Sequence, residues 1–269
     1  MSDMMSPINK EMEGKKLVTV LIPIYKNILS EYEIRSLQQV HSVLQAYPLV
    51  IIKPESLDIS NLLTKFPRCT AESFDNSYFS NIQGYNRLML STSFYERFMD
   101  SQYILIHQLD AYVFRDELTE WCKKGYDYIG APWLKKPVYF YPPISLFMAL
   151  SLRIDERRGK PSKQHLYNKI GNGGFSLRKV KSHLQATLDY QGRIQYYLAQ
   201  KRSHFFNEDV FWGTEVPYFV YPDVKEALAF SFDKYPRYCF NLNNHKIPFG
   251  CHAWFKSKMK SFWKPIIGF

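Results

Sequence analysis

Asp110 is the carboxylate whose position in this sequence most directly indicates chemistry. It follows the largely apolar run YILIHQ at residues 103–108, which is typical of a buried strand. Ligands of parallel sheets bind beyond the carboxyl ends of the strands, so this side chain is expected to face a bound molecule. Hard divalent cations prefer oxygen ligands and keep substrate phosphates in their shell, which makes a cation site one interpretation. A cap on the following turn is the other.

A glycine-rich segment, GNGGFSLR at residues 171–178, contains three glycines ahead of a short apolar stretch. Glycine lets backbone amides approach a phosphate or a sugar, and successive N–H groups can bind an anion. Asn172, Gly173 and Gly174 are therefore candidate ligand-binding residues. A tight turn explains the same glycines equally well.

Two adjacent carboxylates, Glu208 and Asp209, follow Asn207 and precede an apolar run. A carboxylate at the start of a helix can act as a general base if a substrate hydroxyl comes within hydrogen-bond reach. Asn and Asp are also favoured as N-terminal caps, so a purely structural role is the alternative.

His252 lies in the segment PFGCHAW at residues 248–254. A lone histidine is more often a satisfied core residue than a ligand. Here, however, a strand-end Asp, a glycine-rich loop, a Glu–Asp pair and a late His occur in the order that metal-assisted transfer from a nucleoside diphosphate sugar requires. Trp133, Trp212 and Trp254 offer flat faces to sugar rings, although packing in the core explains each of them as well.

Strands and helices alternate over the first hundred residues, as a parallel sheet with helical crossovers requires. Four runs predict strands, at 17–24, 49–52, 69–74 and 103–107. The first is a nearly continuous β-branched run, which is typical of a strand buried on both faces. The box Ser30–Glu33 predicts the start of a helix that ends near Gln45, and apolar spacing predicts a second helix through Leu88 and Phe98.

This order predicts an α/β fold with a mostly parallel, Rossmann-like central sheet, helices on both faces and a single domain. Residues 1–16 are interpreted as a flexible leader, 17–254 as the domain and 255–269 as a tail. After Trp133 the pattern loosens into an aromatic, proline-rich stretch at 137–147 and a basic, polar stretch at 153–170. The basic stretch is expected to be a mobile loop over a cleft, with a plain surface insertion as the alternative.

The composition is that of an ordinary globular protein, because 46% of the 269 residues are apolar and 22% are charged. Lys and Arg number 35 against 25 Asp and Glu, a net charge of +10, and aromatic residues reach 17%. A positive surface favours anionic partners, among them nucleic acid, a sugar nucleotide and lipid headgroups. The four widely spaced cysteines favour a reducing compartment over a zinc knuckle or a disulfide framework.

No segment predicts a membrane span or a signal peptide. The most apolar stretch, 138–152, contains Pro142 and Pro143 and is shorter than the roughly 20 residues of a spanning helix. The leader carries polar and acidic residues where a signal peptide is apolar. The tail at 255–269, FKSKMKSFWKPIIGF, interleaves four lysines with large apolar residues, so it either anchors the protein to an anionic membrane surface or packs on the domain. We expect a cytoplasmic protein, peripheral at the inner face of the membrane if the tail is an anchor.

Five segments together resemble the DUF5672 group of bacterial proteins, which is related to the GT-A glycosyltransferases. They are YILIHQLDAYVF (103–114), DYIGAPW (127–133), GNGGFSLRK (171–179), NEDVFWG (207–213) and PFGCHAW (248–254). The resemblance extends from Val18 to Trp254. It implies the GT-A fold, a nucleotide-sugar donor and an Mn2+ or Mg2+ ion.

The resemblance also implies a metal site. The strand-end DxD motif of GT-A enzymes falls on Gln108-Leu109-Asp110, so its first carboxylate is missing here. Asp110 keeps the metal contact, while Gln108 is expected to hydrogen-bond ribose or metal-bound water. His252 matches the late histidine that completes the metal shell in many GT-A enzymes. Metal binding is therefore expected to be weaker than at a site with two carboxylates.

The remaining residues implied by the resemblance bind the donor and the acceptor. The Glu–Asp pair matches the xED motif on the acceptor side, with Asp209 as the base and Glu208 as a positioning residue. Trp133 and Trp212 are the candidates for stacking on an acceptor sugar. The donor site is expected to include Pro23, Tyr25 and Lys26 at the end of the first strand, and Arg87 beside the uracil or diphosphate.

These features predict a hexosyltransferase of polysaccharide biosynthesis, which moves a hexose from a UDP-sugar or similar donor to a glycan or a lipid-linked glycan. Inversion is expected because a base is available. One alternative is a metal-dependent hydrolase of nucleotide sugars, since the same site can use water as the acceptor. The other is a basic nucleic-acid-binding module, but the basic residues are scattered and no RNP or helix-turn-helix signature occurs. No nucleic-acid partner is therefore expected.

Overall fold

A six-stranded, mostly parallel sheet lies at the centre of the computed structural model, which describes residues 14–200 and 204–269. The strands are β1 (Lys16–Pro23), β2 (Leu49–Pro54), β3 (Cys69–Phe74), β4 (Ser101–His107), β5 (Ala111–Val113), β6 (Tyr128–Ile129), β7 (Phe175–Lys179), β8 (Ser231–Phe232) and β9 (Gly250–His252). The predicted α/β class and the four predicted strands are confirmed. Most of the predicted leader lies outside the described residues, and its last residue, Lys16, already belongs to β1.

The helices connect these strands and cover the sheet. They are α1 (Glu31–Val43), α2 (Ser60–Lys65), α3 (Ile82–Met89), α4 (Thr92–Glu96), α5 (Leu118–Lys123), α6 (Ile144–Arg157), α7 (Val180–Asp189), α8 (Gln191–Ala199), α9 (Glu208–Thr214), α10 (Val224–Phe230), α11 (Pro236–Leu242) and α12 (Ser257–Ile267). The predicted capping box starts α1, since the Ser30 hydroxyl accepts from Glu33 N and the Glu33 carboxylate accepts from Ser30 N.

The large sheet has the strand order β3-β2-β1-β4-β7-β6. Strands β3, β2, β1 and β4 are parallel, whereas β7 runs antiparallel to β4 and to β6. The carboxyl ends of β1 and β4 are therefore neighbours at one edge of the sheet. This edge is where ligands of such sheets bind.

Both faces of the sheet are buried, as the apolar strands predict. Along β1, Val18, Val20 and Ile22 pack into one apolar cluster and Leu21 packs into another on the opposite face. Alternate residues of a strand point to opposite faces, so a strand with both sets buried lies in the middle of a layered fold.

A second, three-stranded sheet of order β5-β9-β8 was not predicted. It follows the end of β4 and packs in a third apolar cluster together with helix α12. Within this cluster Trp263 of α12 is fully buried, and Arg35 Nη1 donates to the Ile267 and Gly268 carbonyls. Of the two interpretations of residues 255–269, the structure therefore has the segment packed on the domain.

Two predicted local features differ from the structure. The single helix expected through Leu88 and Phe98 is two helices, because Ser91 caps α4 by accepting from Phe94 N. The basic stretch 153–170, expected to be a mobile loop, begins inside α6 and contains a 3₁₀ turn at 163–166, and its mobility stays a prediction. Helix α6 was missed because it extends from the aromatic, proline-rich stretch into the basic stretch, and the two were interpreted separately.

Cys69, Cys122, Cys239 and Cys251 are all free and buried. No helix within residues 14–200 and 204–269 is both long and apolar enough to cross a bilayer.

Candidate active site

A cleft of about 820 Å³ opens at the carboxyl ends of β1 and β4. Its volume lies in the range of small-molecule sites, about 300–1,000 Å³. Most of the predicted site residues line this cleft: Pro23, Tyr25, Lys26, Gln108, Asp110, Trp133, Asn172, Gly173, Gly174, Glu208, Asp209 and His252. Segments more than two hundred residues apart in sequence thus meet at one edge of the sheet.

His252 lies between two carboxylates at the floor of the cleft. Its Nε2 atom is 3.0 Å from Asp110 Oδ1, and its Nδ1 atom is 3.0 Å from Asp233 Oδ1. The second oxygen of Asp110 is 2.9 Å from Lys256 Nζ. Asp110, His252 and Asp233 are mostly shielded from solvent, whereas the Lys256 side chain is exposed.

The small sheet brings these four residues together. Ala111 of β5 pairs with His252 of β9, so the residue that precedes β5, Asp110, lies beside the imidazole. Asp233 follows β8, which pairs in parallel with β9. Lys256 precedes α12, and the fixed position of that helix on the domain holds the ammonium group near Asp110.

The charges in this group reinforce one another. Burial disfavours the charged form of His252, but Asp110 and Asp233 outweigh it and raise the imidazole pKa to about 10. Burial likewise opposes ionisation of the two carboxyls, yet His252 holds the pKa of Asp110 and that of Asp233 below the usual range. At neutral pH the floor of the cleft therefore carries an imidazolium between two carboxylates.

The glycine-rich segment gives room to the side chains of the site. A Cβ atom at Gly174 would collide with the His252 ring, and one at Gly173 would collide with the Glu208 carboxylate. Asn172 adopts a left-handed backbone conformation with φ 79°, and its Oδ1 accepts from Gly174 N at 3.1 Å. Its Nδ2 atom is buried without a protein partner. The segment thus permits close approach, and it presents one free amide donor at the cleft.

Glu208 is bound to a buried arginine behind the cleft. Its carboxylate is 3.0 Å from Arg178 Nη2, and both side chains are almost completely buried. Arg178 also donates to Ser176 Oγ and to the Tyr95 hydroxyl. Burial raises the pKa of Glu208 to about 7, although Arg178 favours its ionised form. This ion pair fixes the start of α9 against β7.

Asp209 is the carboxylate of the pair that remains free to act. It lines the cleft, and its Oδ1 accepts from Val210 N at 2.9 Å. Among the described residues no Lys or Arg forms an ion pair with it. Burial, together with the negative charge of Asp233, raises the pKa of Asp209. A carboxylate without a cationic partner and with increased proton affinity has the properties of a general base.

Two predicted site residues lie elsewhere. Arg87 is not among the residues that line the cleft, and its guanidinium donates to the Ser77 carbonyl. Trp212 is completely buried between Tyr95, His183 and Phe219, so it cannot stack on an acceptor. Trp254 is buried as well. Of the three tryptophans considered, only Trp133 reaches the cleft.

Several cleft residues were missed in the sequence. Asp233 is the most important of them, and its signal was weak because it follows a strand of only two residues. Lys256 was assigned to a tail, although it precedes the first turn of a packed helix. Asn86 was hidden within a helix, where its Oδ1 accepts from Glu208 N at 3.1 Å and its Nδ2 donates to Asn207 Oδ1 at 3.3 Å.

The donor groups at the floor of the cleft fit a divalent cation in kind. The Asp110 carboxylate and the His252 imidazole, once the imidazole has lost its Nε2 proton, are ligand types that first-row divalent ions accept. They lie 3.0 Å apart, and Gln108 beside them is neutral. No cluster of three or more His, Cys, Asp or Glu suited to a metal occurs in residues 14–200 and 204–269. A cation here would therefore depend on substrate oxygens and water for much of its shell.

The sequence and the fold both relate this chain to known proteins. The model of a family described as "Protein of unknown function (DUF5672)" matches residues 68–252, which contain most of the cleft residues. The chain belongs to the DUF5672 family. No curated protein matches it in sequence.

Solved structures show that this DUF5672 protein has the GT-A glycosyltransferase fold. The galactosyltransferase LgtC, in complex with donor and acceptor sugar analogues, is similar over 93% of this chain and 95% of its own, with a TM-score of 0.54 and 12% identity. The bifunctional glycosyltransferase WbbM has a TM-score of 0.54 and 14% identity over 90% of this chain and 46% of its own. At such identities the similarity establishes the fold.

Proposed function

We propose that this DUF5672 protein is a glycosyltransferase that transfers a hexose from a nucleotide-sugar donor, a UDP-sugar, to a glycan or lipid-linked glycan, with inversion. One observation carries the proposal. The cleft contains Asp209, a carboxylate without a cationic partner, and also a cluster of charged side chains formed by Asp110, His252 and Lys256. Asp209 can remove a proton from an acceptor, and the charged cluster can bind a diphosphate.

The donor is proposed to lie along the edge formed by β1 and β4. Pro23 ends β1, and Tyr25 and Lys26 follow it; all three line this part of the cleft, where the nucleobase and ribose would bind. Lys26 is 2.8 Å from Glu33, so its ammonium group has a fixed position. Asn172 and Gln108 line the same cleft, and we propose that their side chains hydrogen-bond the sugar and ribose hydroxyls.

Positive charge for the diphosphate comes from the floor of the cleft. Lys256 and Lys234 line it, and His252 is cationic at neutral pH. A Mn2+ or Mg2+ ion would be held by Asp110 and by the neutral form of His252, which must first lose its Nε2 proton. It would supply Lewis-acid stabilisation of the leaving diphosphate. Because Gln108 adds no charge, we expect the metal ion to bind weakly. The lysines of the cleft would then contribute more to stabilising the leaving diphosphate than they would in a site with two carboxylates.

Asp209 is proposed to be the base. Its carboxylate accepts the proton of an acceptor hydroxyl while that oxygen forms a bond to the anomeric carbon of the donor. The bond from this carbon to the diphosphate oxygen breaks at the same time, and the electron pair leaves with the diphosphate. A positioned base contributes about 10²–10⁴-fold to the rate.

A smaller cavity beside the cleft suits the acceptor. It has a volume of about 420 Å³ and shares Asn86 and Asn207 with the cleft, next to Asp209. Its remaining lining combines amides with aromatic rings, including Gln83, Tyr197, Gln200 and Phe206. Amides that bind hydroxyls and rings that cover apolar sugar faces form a surface suited to a carbohydrate.

A thermal-shift screen of nucleotide sugars tests the donor assignment. A ligand that binds only the native state raises the apparent stability, so a matching donor should raise the melting temperature progressively, with the logarithm of its concentration above the Kd. The shift should be larger with Mn2+ and smaller in His252→Ala. If no nucleoside diphosphate sugar shifts the melting temperature under any condition, the proposal fails.

A further inference from the structure

Residues 134–168 leave the domain at the rim of the cleft and return to the same place. Trp133 N donates to the Lys169 carbonyl at 2.9 Å, and Asn168 N donates to the Trp133 carbonyl at 2.8 Å. The bridge between Pro132 and Ile170 closes the base. We call residues 134–168 the excursion. Helix α6 is its main element.

The outer face of α6 is apolar and exposed. Not one of its fourteen residues is buried. Leu146, Phe147 and Leu150 are 68%, 72% and 58% exposed, and Ile154 extends the same face by one more turn. On the other side, Gln164 Nε2 donates to the Met148 carbonyl at 2.7 Å, so the helix is held against the rest of the excursion. Contiguous apolar patches on a protein surface usually mark an interaction site.

The excursion is also strongly basic. It contains seven Lys and Arg residues against two acidic ones, Asp155 and Glu156. Arg153 and Arg157 lie on α6 beside the apolar face. Near the base, Lys135 Nζ lies 4.5 Å from the centre of the Phe140 ring. Large apolar side chains flanked by Lys and Arg are the composition of helices that lie in the plane of a membrane interface.

We propose that the excursion docks on an anionic lipid bilayer, with Leu146, Phe147, Leu150 and Ile154 in the acyl boundary and the basic residues at the headgroups. Apolar burial and attraction to anionic lipids both favour this position. A second copy of the chain is a less suitable partner for this face, because a two-fold contact would bring the basic surfaces of two excursions together. The C-terminal segment is a poorer anchor than the excursion, since its Trp263 is buried in the domain.

Docking through the excursion would bring the cleft to the membrane surface. Trp133 lies at the base of the excursion and also lines the cleft. Lys136, in the excursion, is 5.2 Å from the centre of the Tyr235 ring, next to cleft residue Lys234. A lipid-linked acceptor would then reach the cleft without leaving the bilayer. This consequence rests on the proposed function, whereas the membrane contact does not.

Co-sedimentation of the full-length protein with vesicles tests the proposal. Vesicles of phosphatidylglycerol and phosphatidylcholine should bind the protein, with weaker binding at high salt, and vesicles of phosphatidylcholine alone should bind little. In the variant L146E/F147E/L150E the partition coefficient should fall about tenfold or more, because three side chains lose their transfer into the acyl boundary. The variant I28E/L188E/V220E changes the charge equally at exposed apolar positions elsewhere and should bind nearly as well as wild type.

A site-specific probe identifies the docking surface. Because the four natural cysteines are buried, Leu150→Cys or Lys258→Cys can carry an environment-sensitive dye at one position only. Anionic vesicles should shift the emission of the dye to the blue at residue 150 and leave it nearly unchanged at 258. A shift at 258 alone would overturn the proposal in favour of the C-terminal helix. Equal vesicle binding by L146E/F147E/L150E and wild type would also overturn it. So would a wild-type protein that binds no vesicles but forms a dimer, if the L146E/F147E/L150E variant is a monomer.

Discussion

The imidazole of His252 is hydrogen-bonded to Asp233, with 3.0 Å between Nδ1 and Oδ1. This contact turns the other ring nitrogen toward Asp110 and the cleft. Carboxylates that hold a histidine in this way orient the ring and fix its protonation. Asp233 is therefore a positioning residue for the proposed diphosphate site.

Asp233→Asn should weaken the binding of UDP. The amide keeps the shape of the side chain but removes the charge that orients and protonates His252. A loss of about 10–100-fold in affinity is expected, as for other partners that orient a histidine. Calorimetry with Mn2+ present measures it. The control is Asp223→Asn, at a helix cap that does not line the cleft, and it should retain wild-type affinity. Equal affinities in the two variants would show that Asp233 does not contribute to UDP binding.

Asp209→Asn should abolish turnover and leave donor binding intact. The amide cannot accept the proton of the acceptor hydroxyl, so kcat should fall about 10²–10⁴-fold. The Kd for the donor, measured by calorimetry, should stay within error of wild type, in contrast to Asp233→Asn. An active Asp209→Asn enzyme would show that the base is a different group or that no base is used.

Glu208→Gln should destabilise the protein. The substitution leaves the Arg178 charge buried without its counter-charge, which costs about 3–5 kcal/mol of the free energy of unfolding. Urea denaturation measures the loss. Glu226→Gln, which breaks the exposed pair with Lys124, should cost about 0–1 kcal/mol.

A double variant separates the charge effect from lost packing. Replacing both partners, as in Arg178→Met with Glu208→Leu, should recover a large part of the stability, because no unpaired charge remains. If Glu208→Gln lowers the free energy of unfolding no more than Glu226→Gln does, the Arg178–Glu208 pair does not stabilise the start of α9.

Gln108→Asp should strengthen the binding of Mn2+ in the presence of UDP. It adds a second carboxylate beside Asp110, where the sequence has a neutral amide. Hard cations bind more tightly as the number of charged oxygen ligands rises. Gln108→Asn is the control, with the same size as Asp and no charge. Titration of Mn2+ followed by electron paramagnetic resonance compares the two, and identical affinities would place the cation away from Gln108.

The sequence predicted those parts of the site that follow from the parallel sheet. A carboxylate after β4 and residues after β1 must lie at the same sheet edge, so Asp110 and Tyr25 could be placed in one cleft before the structure was known. His252 was linked to them by the order of the motifs along the chain and by resemblance, not by a predicted strand. Its position depends on the pairing of Ala111 with His252, and three-residue strands carry no periodic signal.

The errors have the same physical origin, because they concern side chains whose environment is set by distant segments. Trp133 and Trp212 each lie next to apolar residues in the sequence, but α9 turns Trp212 into the core. Helix α6 carries apolar residues at helical spacing, but the sequence does not show that this face points outward.

The central claim is that the cleft transfers a hexose from a nucleotide to a carbohydrate. The direct measurement is the release of nucleoside diphosphate from the donor that the thermal-shift screen identifies, with and without a glycan acceptor. We predict release that depends on the acceptor, forms a glycosylated product in equal amount and is lost in Asp209→Asn. Equal release with and without acceptor would identify a nucleotide-sugar hydrolase, and no release from any donor that binds would contradict a transferase function.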